Sequence, residues 1–250
     1  MEIRVYDDKR TTSKKAADKA INLLNKTIIK KGKATIVMAT GNSQIDFINF
    51  LIEDNTVKWN KVKMFHLDEY IGVKENHPAS FRKYLKDKFV SKVDNISEVI
   101  FIKGEKEPEE ERKRLNKNIK EEEIDVAFIG IGENGHLAFN DPPADFETKD
   151  PYIVVTLDQK CKEQQVNEGW FASLNEVPNE AISMSINQIM KSKAIICTVP
   201  DIRKAQAVKE CFSKKAQITP EHPASILKKH ENTYVFLDKE SASLLKMYLD

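Results

Sequence analysis

The stretch from Asp125 to Pro142 constrains the fold more than any other part of the sequence. It opens with an almost uncharged apolar run, Val126–Ile131, and continues into a loop of glycines and short polar side chains. Such a run, bounded by Asp125 and by glycine, is typical of a strand covered on both faces, as at the centre of a parallel sheet. Ligands of open α/β sheets bind beyond the carboxyl ends of the strands. His136 in this loop is therefore expected at an active site, the alternative being an ordinary hydrogen-bonded loop histidine.

Elsewhere, short apolar runs alternate with segments of helical periodicity. This alternation predicts an α/β fold, a mostly parallel sheet flanked by helices on both faces in a Rossmann-like, three-layer arrangement. Further strands are predicted at Glu2–Tyr6, Ala34–Ala39, Lys61–Leu67, Val99–Ile102, Tyr152–Leu157, Ala181–Ile186, Ala194–Pro200 and Thr233–Leu237. Helices are predicted at Thr12–Ile29, 45–52, 81–89, Pro108–Glu121, Asp201–Phe212, Pro223–Lys229 and Lys239–Leu249, with helix or loop at Cys161–Phe171. Because no repeat or low-complexity linker divides the chain, residues 1–250 are expected to form a single domain.

The charge balance bears on the class of partner. The formal net charge is only +1 over 250 residues, so neither a nucleic-acid footprint nor a membrane-surface patch is expected. Charged residues make up 32% of the chain but are interleaved with apolar ones, as on a solvated folded surface. Small molecules are therefore the expected partners.

The compartment is expected to be the cytoplasm. The N-terminal segment lacks a basic stretch followed by a long apolar run, and no stretch approaches the ~20 apolar residues of a membrane span. Cys161, Cys197 and Cys211 are odd in number and contain no CxxC pair. Neither a disulfide framework nor a zinc site is predicted, and the cysteines are expected to be reduced thiols.

Polar clusters follow three of the predicted strands. The turn Thr40-Gly41-Asn42-Ser43 opens a helix, and such a turn suits a phosphate, although a plain turn with Ser43 as N-cap has the same pattern. Asp68 and Glu69 follow the third strand; because neighbouring side chains of an extended segment point to opposite sides, only one of them is expected to face a pocket. The third cluster is Asn134, His136 and Asp141. Carboxyl ends of parallel strands share one sheet edge, so the clusters are expected to converge.

Two cations suggest an anionic ligand. Arg203 and Lys204 lie in the first turn of a predicted helix, where positive charge opposes the helix dipole. The alternative is a solvated cationic pair. Together, a phosphate-binding turn, a carboxylate base and a histidine are suited to proton transfer on a phosphorylated sugar.

Four motifs, in order and across nearly the whole chain, resemble those of the glucosamine-6-phosphate deaminase/isomerase family. They are ATGNS (Ala39–Ser43), LDEYIG (Leu67–Gly72) followed by HPASF (His77–Phe81), GIGENGHLAFNDP (Gly130–Pro142) and PASIL (Pro223–Leu227). The second and third motifs together are specific, whereas TGNS alone would be weak. The resemblance implies conversion of glucosamine 6-phosphate to fructose 6-phosphate and ammonia, without metal or cofactor.

The resemblance also implies roles for individual residues. Asp68 matches the base that moves a proton from C2 toward C1, and His136 matches the histidine that opens the sugar ring. Asn134 and Asp141 match the residues that hold this histidine. Lys204 and the turn from Thr40 to Ser43 match the phosphate-binding residues.

Several positions depart from the family pattern. Position 134 is Asn where some members have Asp, position 141 is Asp in place of the usual Glu, and Gln44 replaces a proline. The phosphate-binding arginine that usually precedes the aromatic pair is replaced by Gly169, and Arg203 is a candidate substitute. Cationic residues of the allosteric effector site are absent near 151–154, which predicts no regulation of that kind.

Three alternatives remain open at the level of sequence. The substrate could be galactosamine 6-phosphate; the protein could be a 6-phosphogluconolactonase-like hydrolase; or it could bind a sugar phosphate without turnover. Phe139-Asn140-Asp141-Pro142 and the LDEY motif favour a deaminase. A homo-oligomer is also left open, because apolar stripes that form an interface have the same pattern as those that form a core.

Overall fold

The computed structural model describes residues 1–245, within which ten strands form two sheets. In chain order the strands are β1 (Glu2–Tyr6), β2 (Ala34–Met38), β3 (Val62–His66), β4 (Asp68–Tyr70), β5 (Glu98–Ile100), β6 (Val126–Ile129), β7 (Tyr152–Thr156), β8 (Glu180–Met184), β9 (Ala194–Val199) and β10 (Thr233–Asp238). The larger sheet has the order β1-β10-β9-β6-β2-β3-β5, and all of its pairs are parallel. β6 is the middle strand of seven, which confirms the interpretation of the uncharged run.

Helices cover both faces of this sheet. They are α1 (Lys9–Lys31), α2 (Ile45–Glu53), α3 (Phe81–Lys88), α4 (Pro108–Ile119), α5 (Gln159–Asn167), α6 (Ile186–Met190) and α7 (Ala205–Phe212). Val126 and Phe128 point into a core that includes residues of α1, α2 and α3, whereas Ala127 and Ile129 point into one that includes residues of α4, α6 and α7. Because successive side chains of a strand alternate between faces, two covered faces leave β6 no position for a charge. The predicted three-layer α/β fold is confirmed.

A second, three-stranded sheet begins where the chain leaves the carboxyl end of β3. It has the order β4-β8-β7, and both of its pairs are antiparallel. The chain passes from β3 through Leu67 directly into β4, so the two sheets meet at this point. The strand predictions at Tyr152–Leu157 and Ala181–Ile186 are therefore correct in kind, but these strands lie outside the parallel sheet. Alternation of side chains indicates a strand without indicating its partner.

Several element ends differ from the sequence prediction. α1 begins at Lys9 and is capped by Asp8, whose side chain accepts a hydrogen bond from the backbone N–H of Thr11. Residues 223–229 form a 3-10 helix, and another, at 202–204, precedes α7. Of the helix predicted at Lys239–Leu249, residues 239–244 form turns, and residues 246–250 lie outside the described part of the chain. Across residues 1–245 none of the helices combines the length and apolarity needed to cross a bilayer.

Candidate active site

One cleft at the carboxyl edge of the parallel sheet receives residues from four strand ends. Its lining includes the turn Thr40–Ser43 after β2, Asp68 after β3, His136 after β6 and Lys204 after β9. The cleft is open to solvent, and its empty space, with the open mouth included, is about 560 Å³. The convergence expected from a parallel sheet is therefore observed.

His136 is held from behind by two side chains that do not line the cleft. Its Nδ1 lies 2.9 Å from Oδ1 of Asp141, a contact without good hydrogen-bond alignment, and its backbone N–H donates to Oδ1 of Asn134 over 3.1 Å. Asn134 in turn donates from Nδ2 to the same Asp141 oxygen over 3.0 Å. Burial opposes ionisation of Asp141, but the adjacent His136 and Asn134 outweigh it and lower the pKa of this carboxyl. The anionic Asp141 therefore lies against the imidazole and limits the orientation of the ring.

The glycines of this loop are required by close packing. A Cβ at Gly132 would lie 2.2 Å from Cε1 of His136, so the ring occupies the space that any other residue would fill. Gly135 has a φ of +85°, and its carbonyl accepts a hydrogen bond from the backbone N–H of Ala224 in the PASIL motif. Asn140 donates from Nδ2 to the carbonyls of Leu137 (2.7 Å) and Met184 (2.8 Å). The loop is thereby fixed to β8 of the second sheet.

Asp68 and Glu69 have different surroundings. Asp68 lines the cleft although it is only 6% exposed, and burial together with the charge of Glu69 raises its pKa to about 8. Glu69 points away, where its carboxylate accepts hydrogen bonds from the Ser80 hydroxyl and from the backbone N–H groups of Tyr70, Phe81 and Arg82. Glu69 therefore joins the LDEY motif to the start of α3 in the HPASF motif. As expected for neighbours on a strand, only one of the two faces the pocket.

The turn after β2 is fixed by the glutamine that departs from the family pattern. Gln44 is buried and donates from Nε2 to the hydroxyl of Ser43 (3.0 Å) and to the carbonyl of Thr198 in β9 (3.1 Å). A Cβ at Gly130 would come within 2.9 Å of this amide nitrogen, which explains the glycine at the end of β6. Ser43 is not an N-cap, because α2 begins after Gln44 without a side-chain cap. The alternative in which Ser43 serves as the N-cap of α2 is therefore wrong.

Lys204 and Arg203 separate at the start of α7. Lys204 is buried and lines the cleft, and burial lowers its pKa. Arg203 lies in an adjoining groove, where its guanidinium contacts Asp201 at 3.0 Å and Glu133 at 3.7 Å. Arg203 therefore does not line the cleft itself, and its charge is paired with carboxylates in the groove.

Sequence reasoning missed the wall contributed by α5 and the turn after it. Gln164, Gln165, Glu168 and Trp170 all line the cleft. The carboxylate of Glu168 accepts hydrogen bonds from Nε2 of Gln164 (2.8 Å) and Nε1 of Trp170 (3.2 Å). Buried glutamines break the apolar periodicity on which a helix prediction depends. The Trp170/Phe171 pair was the available signal.

One group of three potential metal ligands occurs within residues 1–245. Donor atoms of His136, Asp141 and Cys161 lie within 4.8 Å of one another. Both Asp141 oxygens already accept hydrogen bonds, from Asn134 and from the backbone N–H of Asp158. Burial also raises the pKa of the Cys161 thiol well above its usual value, which opposes the thiolate that a metal would bind. These side chains are therefore better suited to orienting His136 than to binding a metal ion.

Known proteins resemble this chain in sequence and in structure. A sequence model of the family described as glucosamine-6-phosphate isomerases/6-phosphogluconolactonase matches residues 7–236. The glucosamine-6-phosphate deaminase of Clostridium acetobutylicum is 37% identical, covering 98% of this chain and 100% of the relative, and that of Bacillus pumilus is 32% identical with the same coverage.

Among solved structures, a monomeric glucosamine-6-phosphate deaminase superposes with a TM-score of 0.87 at 28% identity, covering 98% of this chain and 100% of the other. The 6-phosphogluconolactonase of Trypanosoma brucei superposes with a TM-score of 0.80 at 16% identity, covering 98% of both chains, which shows a shared fold alone. Full-length coverage at more than 30% identity extends well beyond the four motifs. The chain belongs to the glucosamine-6-phosphate isomerase/6-phosphogluconolactonase family.

Proposed function

We propose that this protein is an enzyme that converts glucosamine 6-phosphate and water into fructose 6-phosphate and ammonia. The observation that carries the proposal is the shared cleft, in which Asp68 and His136 face the same space as a phosphate-binding turn and Lys204. The bacterial relatives that match the full chain are named glucosamine-6-phosphate deaminases. A carboxylate base and an imidazole in one pocket provide the two proton transfers that this reaction needs.

His136 acts first, on the closed sugar ring. It takes the proton from the hydroxyl of C1 and returns a proton to the ring oxygen, which breaks the bond between C1 and that oxygen and leaves an aldehyde at C1. An imidazole suits this exchange because it accepts and donates protons near neutral pH. Asp141 and Asn134 serve as positioning residues, since they contact the histidine and do not line the cleft.

Asp68 then moves a proton between neighbouring carbons. It removes the proton from C2, while the protonated amine on C2 gives a proton to the C1 oxygen, and an enolamine forms. Return of the carried proton to C1 gives a protonated imine at C2, and water adds there to release ammonia and leave the ketone. A carboxyl whose pKa is raised to about 8 both takes and returns a proton readily near neutral pH.

The phosphate is proposed to lie at the opposite end of the cleft, between Lys204 and the turn from Thr40 to Ser43. The turn adjoins the start of α2, whose dipole favours an anion, and the hydroxyls of Thr40 and Ser43 are available donors. Gly41, at a φ of +102°, and Asn42 complete the turn. Arg203 remains a proposed outer contact, at the edge of this site.

Ammonia release from a panel of sugar phosphates tests the reaction class. We expect release from glucosamine 6-phosphate, measured with a coupled ammonia assay. Galactosamine 6-phosphate in the panel identifies a different hexosamine substrate, and hydrolysis of 6-phosphogluconolactone identifies a lactonase. Binding of glucosamine 6-phosphate without turnover would contradict the proposal and point to a sugar-phosphate sensor.

Replacement of the proposed base tests the mechanism. Asp68→Asn should abolish ammonia release, a loss of at least ~10²-fold, because an amide cannot accept the C2 proton. Asp94→Asn, at an exposed position distant in sequence from the site motifs, is the matched control and should retain full activity. Turnover by the Asp68 variant at the wild-type rate would remove Asp68 from the base role.

The same proposal includes a small-molecule partner and a cytoplasmic location. The three cysteines are buried and unpaired, as is usual in a reducing compartment. All of the site residues named above come from one chain, so association with a second copy is not needed to complete the cleft.

A further inference from the structure

A narrow groove continues from the active-site cleft beside the phosphate-binding turn. It shares Asn42, Ser43, Glu168 and Lys204 with the cleft. Its remaining lining comes from Pro200, Asp201, Arg203 and Lys9, the first residue of α1. We call this space the cation groove, because Lys9, Arg203 and Lys204 all border it.

Lys9 is available for an anionic ligand. Its Nζ donates a hydrogen bond to the backbone carbonyl of Asn42 over 3.3 Å, which places the ammonium at the turn itself. Within residues 1–245, neither Lys9 nor Lys204 has a carboxylate oxygen within 4.0 Å of its ammonium, whereas Arg203 has two such partners. Lys204 is only 4% exposed, and a buried ammonium without a close counter-ion is suited to an incoming anion.

The charges of the residues around the groove show why Lys204 alone is insufficient to bind a phosphate. Arg203 and Asp201 neutralise each other in a 3.0 Å ion pair. The carboxylate of Glu168, held by Gln164 and Trp170, faces the same space, more than 4.0 Å from the Lys204 ammonium, and offsets that charge in the sum over the groove. The remaining charge is that of Lys9, so the residues that line the groove have a formal net charge of +1.

No cation is available from the turn after α5. Gly169 has no side chain, and its φ of +81° is a conformation that glycine adopts far more readily than arginine does. A second cation must come from another element, and α1 presents one next to Asn42. We infer that Lys9 binds the phosphate of the substrate together with Lys204 and the turn from Thr40 to Ser43. This inference rests on the proposed sugar-phosphate function and assigns it a second phosphate-binding cation.

Equilibrium binding of ligands that cannot be deaminated tests this assignment. We measure Kd by titration calorimetry for glucose 6-phosphate, a dianion near neutral pH, and for glucose 6-sulfate, a monoanion of similar shape. Lys9→Met should weaken glucose 6-phosphate about tenfold, as expected for loss of one charge-assisted hydrogen bond, and glucose 6-sulfate distinctly less. Lys9→Gln, which keeps a donor but not the charge, should have the same effect, and Lys9→Arg should restore binding.

Lys15→Met is the matched control. It removes the same charge from an exposed position of the same helix and should leave both Kd values within about twofold of wild type. Equal losses for the phosphate and the sulfate in Lys9→Met would mean that Lys9 only supports the turn, and unchanged phosphate binding would exclude any role; either result overturns the assignment. Failure of wild type to bind glucose 6-phosphate overturns it as well.

The test separates this assignment from the proposed reaction. A wild-type protein that binds glucose 6-phosphate through Lys9 but releases no ammonia from glucosamine 6-phosphate would refute the deaminase function and leave the phosphate contact in place. Ammonia release with a KM that Lys9→Met does not change would refute the contact and leave the reaction in place.

Discussion

Asp68 and Glu69 show how adjacent identical charges acquire different tasks. Both are buried, and burial raises the pKa of Asp68 to about 8 and that of Glu69 to about 7, the latter in spite of several hydrogen bonds that favour its anion. Since Glu69 accepts four hydrogen bonds at the start of α3, it is the better stabilised anion of the pair. Asp68, which lines the cleft, is the less stabilised anion and is the proposed proton carrier.

This arrangement makes the folded protein less stable at alkaline pH. The pKa of Asp68 is raised from 3.8 to about 8, so the fold binds its proton more tightly than the unfolded chain does. The stabilisation that this proton gives is complete below pH ~4 and is lost as the pH rises to ~8. Asp68→Asn, which is neutral at every pH, should therefore melt higher than wild type at pH 8, by roughly 5 °C, and the difference should shrink toward pH 5.

Thermal melts at the two pH values measure the effect. Asp94→Asn, at an exposed position, is the control and should melt with wild type at both. A melting temperature of Asp68→Asn below that of wild type at pH 8 would show that the ionised carboxylate stabilises the fold.

At the scale of elements, the sequence predicted those features that depend on local pattern. The uncharged run of β6 and the helical spacing of Phe81, Tyr84 and Leu85 identify their elements, because a strand buried on both faces and a helix buried along one side each leave a local pattern. The second sheet escaped prediction, because its strands pair antiparallel across long stretches of sequence.

 Asp68 pairs with Ser183, 115 residues later, and Tyr152 pairs with Met184, 32 residues later. Pairing over such separations leaves no local pattern.

The sequence predicted some residues of the candidate site and missed others. His136, Asp68 and Lys204 follow strand ends, so the direction of the strands was enough to bring them together. Glu168 lines the cleft from the turn after α5, and Lys9 borders the adjoining cation groove from the start of α1. No spacing in the sequence relates either residue to a strand end. Such residues become visible only when the packing of helices on the sheet is known.

The connection between β2 and α2 offers a test at the scale of elements. Gln44→Ala removes the amide that ties Ser43 to the carbonyl of Thr198 and leaves that carbonyl without this buried donor. We expect a loss of about 1–3 kcal/mol of stability and a raised KM for the sugar phosphate, because the turn is no longer held against β9. Chemical denaturation and steady-state kinetics measure the two effects.

Gln206→Ala is the matched control for this change, because Gln206 is exposed on α7 and, within residues 1–245, its side chain hydrogen-bonds to Glu210 alone. It should alter neither stability nor KM. A normal KM in Gln44→Ala would show that the turn keeps its shape without the tether.

At the scale of the whole molecule, the cleft is complete within one chain. Large apolar side chains that are exposed within residues 1–245 belong to five separate segments: Ile29, Leu174, Ile202, Ile218 and Leu244. Each is a single exposed residue of its segment, and single exposed apolar residues are ordinary on a protein surface. The structural relative with a TM-score of 0.87 is described as monomeric.

We therefore expect the ammonia-releasing activity per mole of protein to be independent of protein concentration. Each chain carries the proposed base, the histidine and the proposed phosphate-binding residues, so dissociation of any assembly would leave these residues together. Assays from nanomolar to micromolar protein, with sedimentation velocity over the same range, test this. Activity that falls on dilution together with a decrease in sedimentation coefficient would show that a second copy supports the cleft, and would identify a homo-oligomer as the active form.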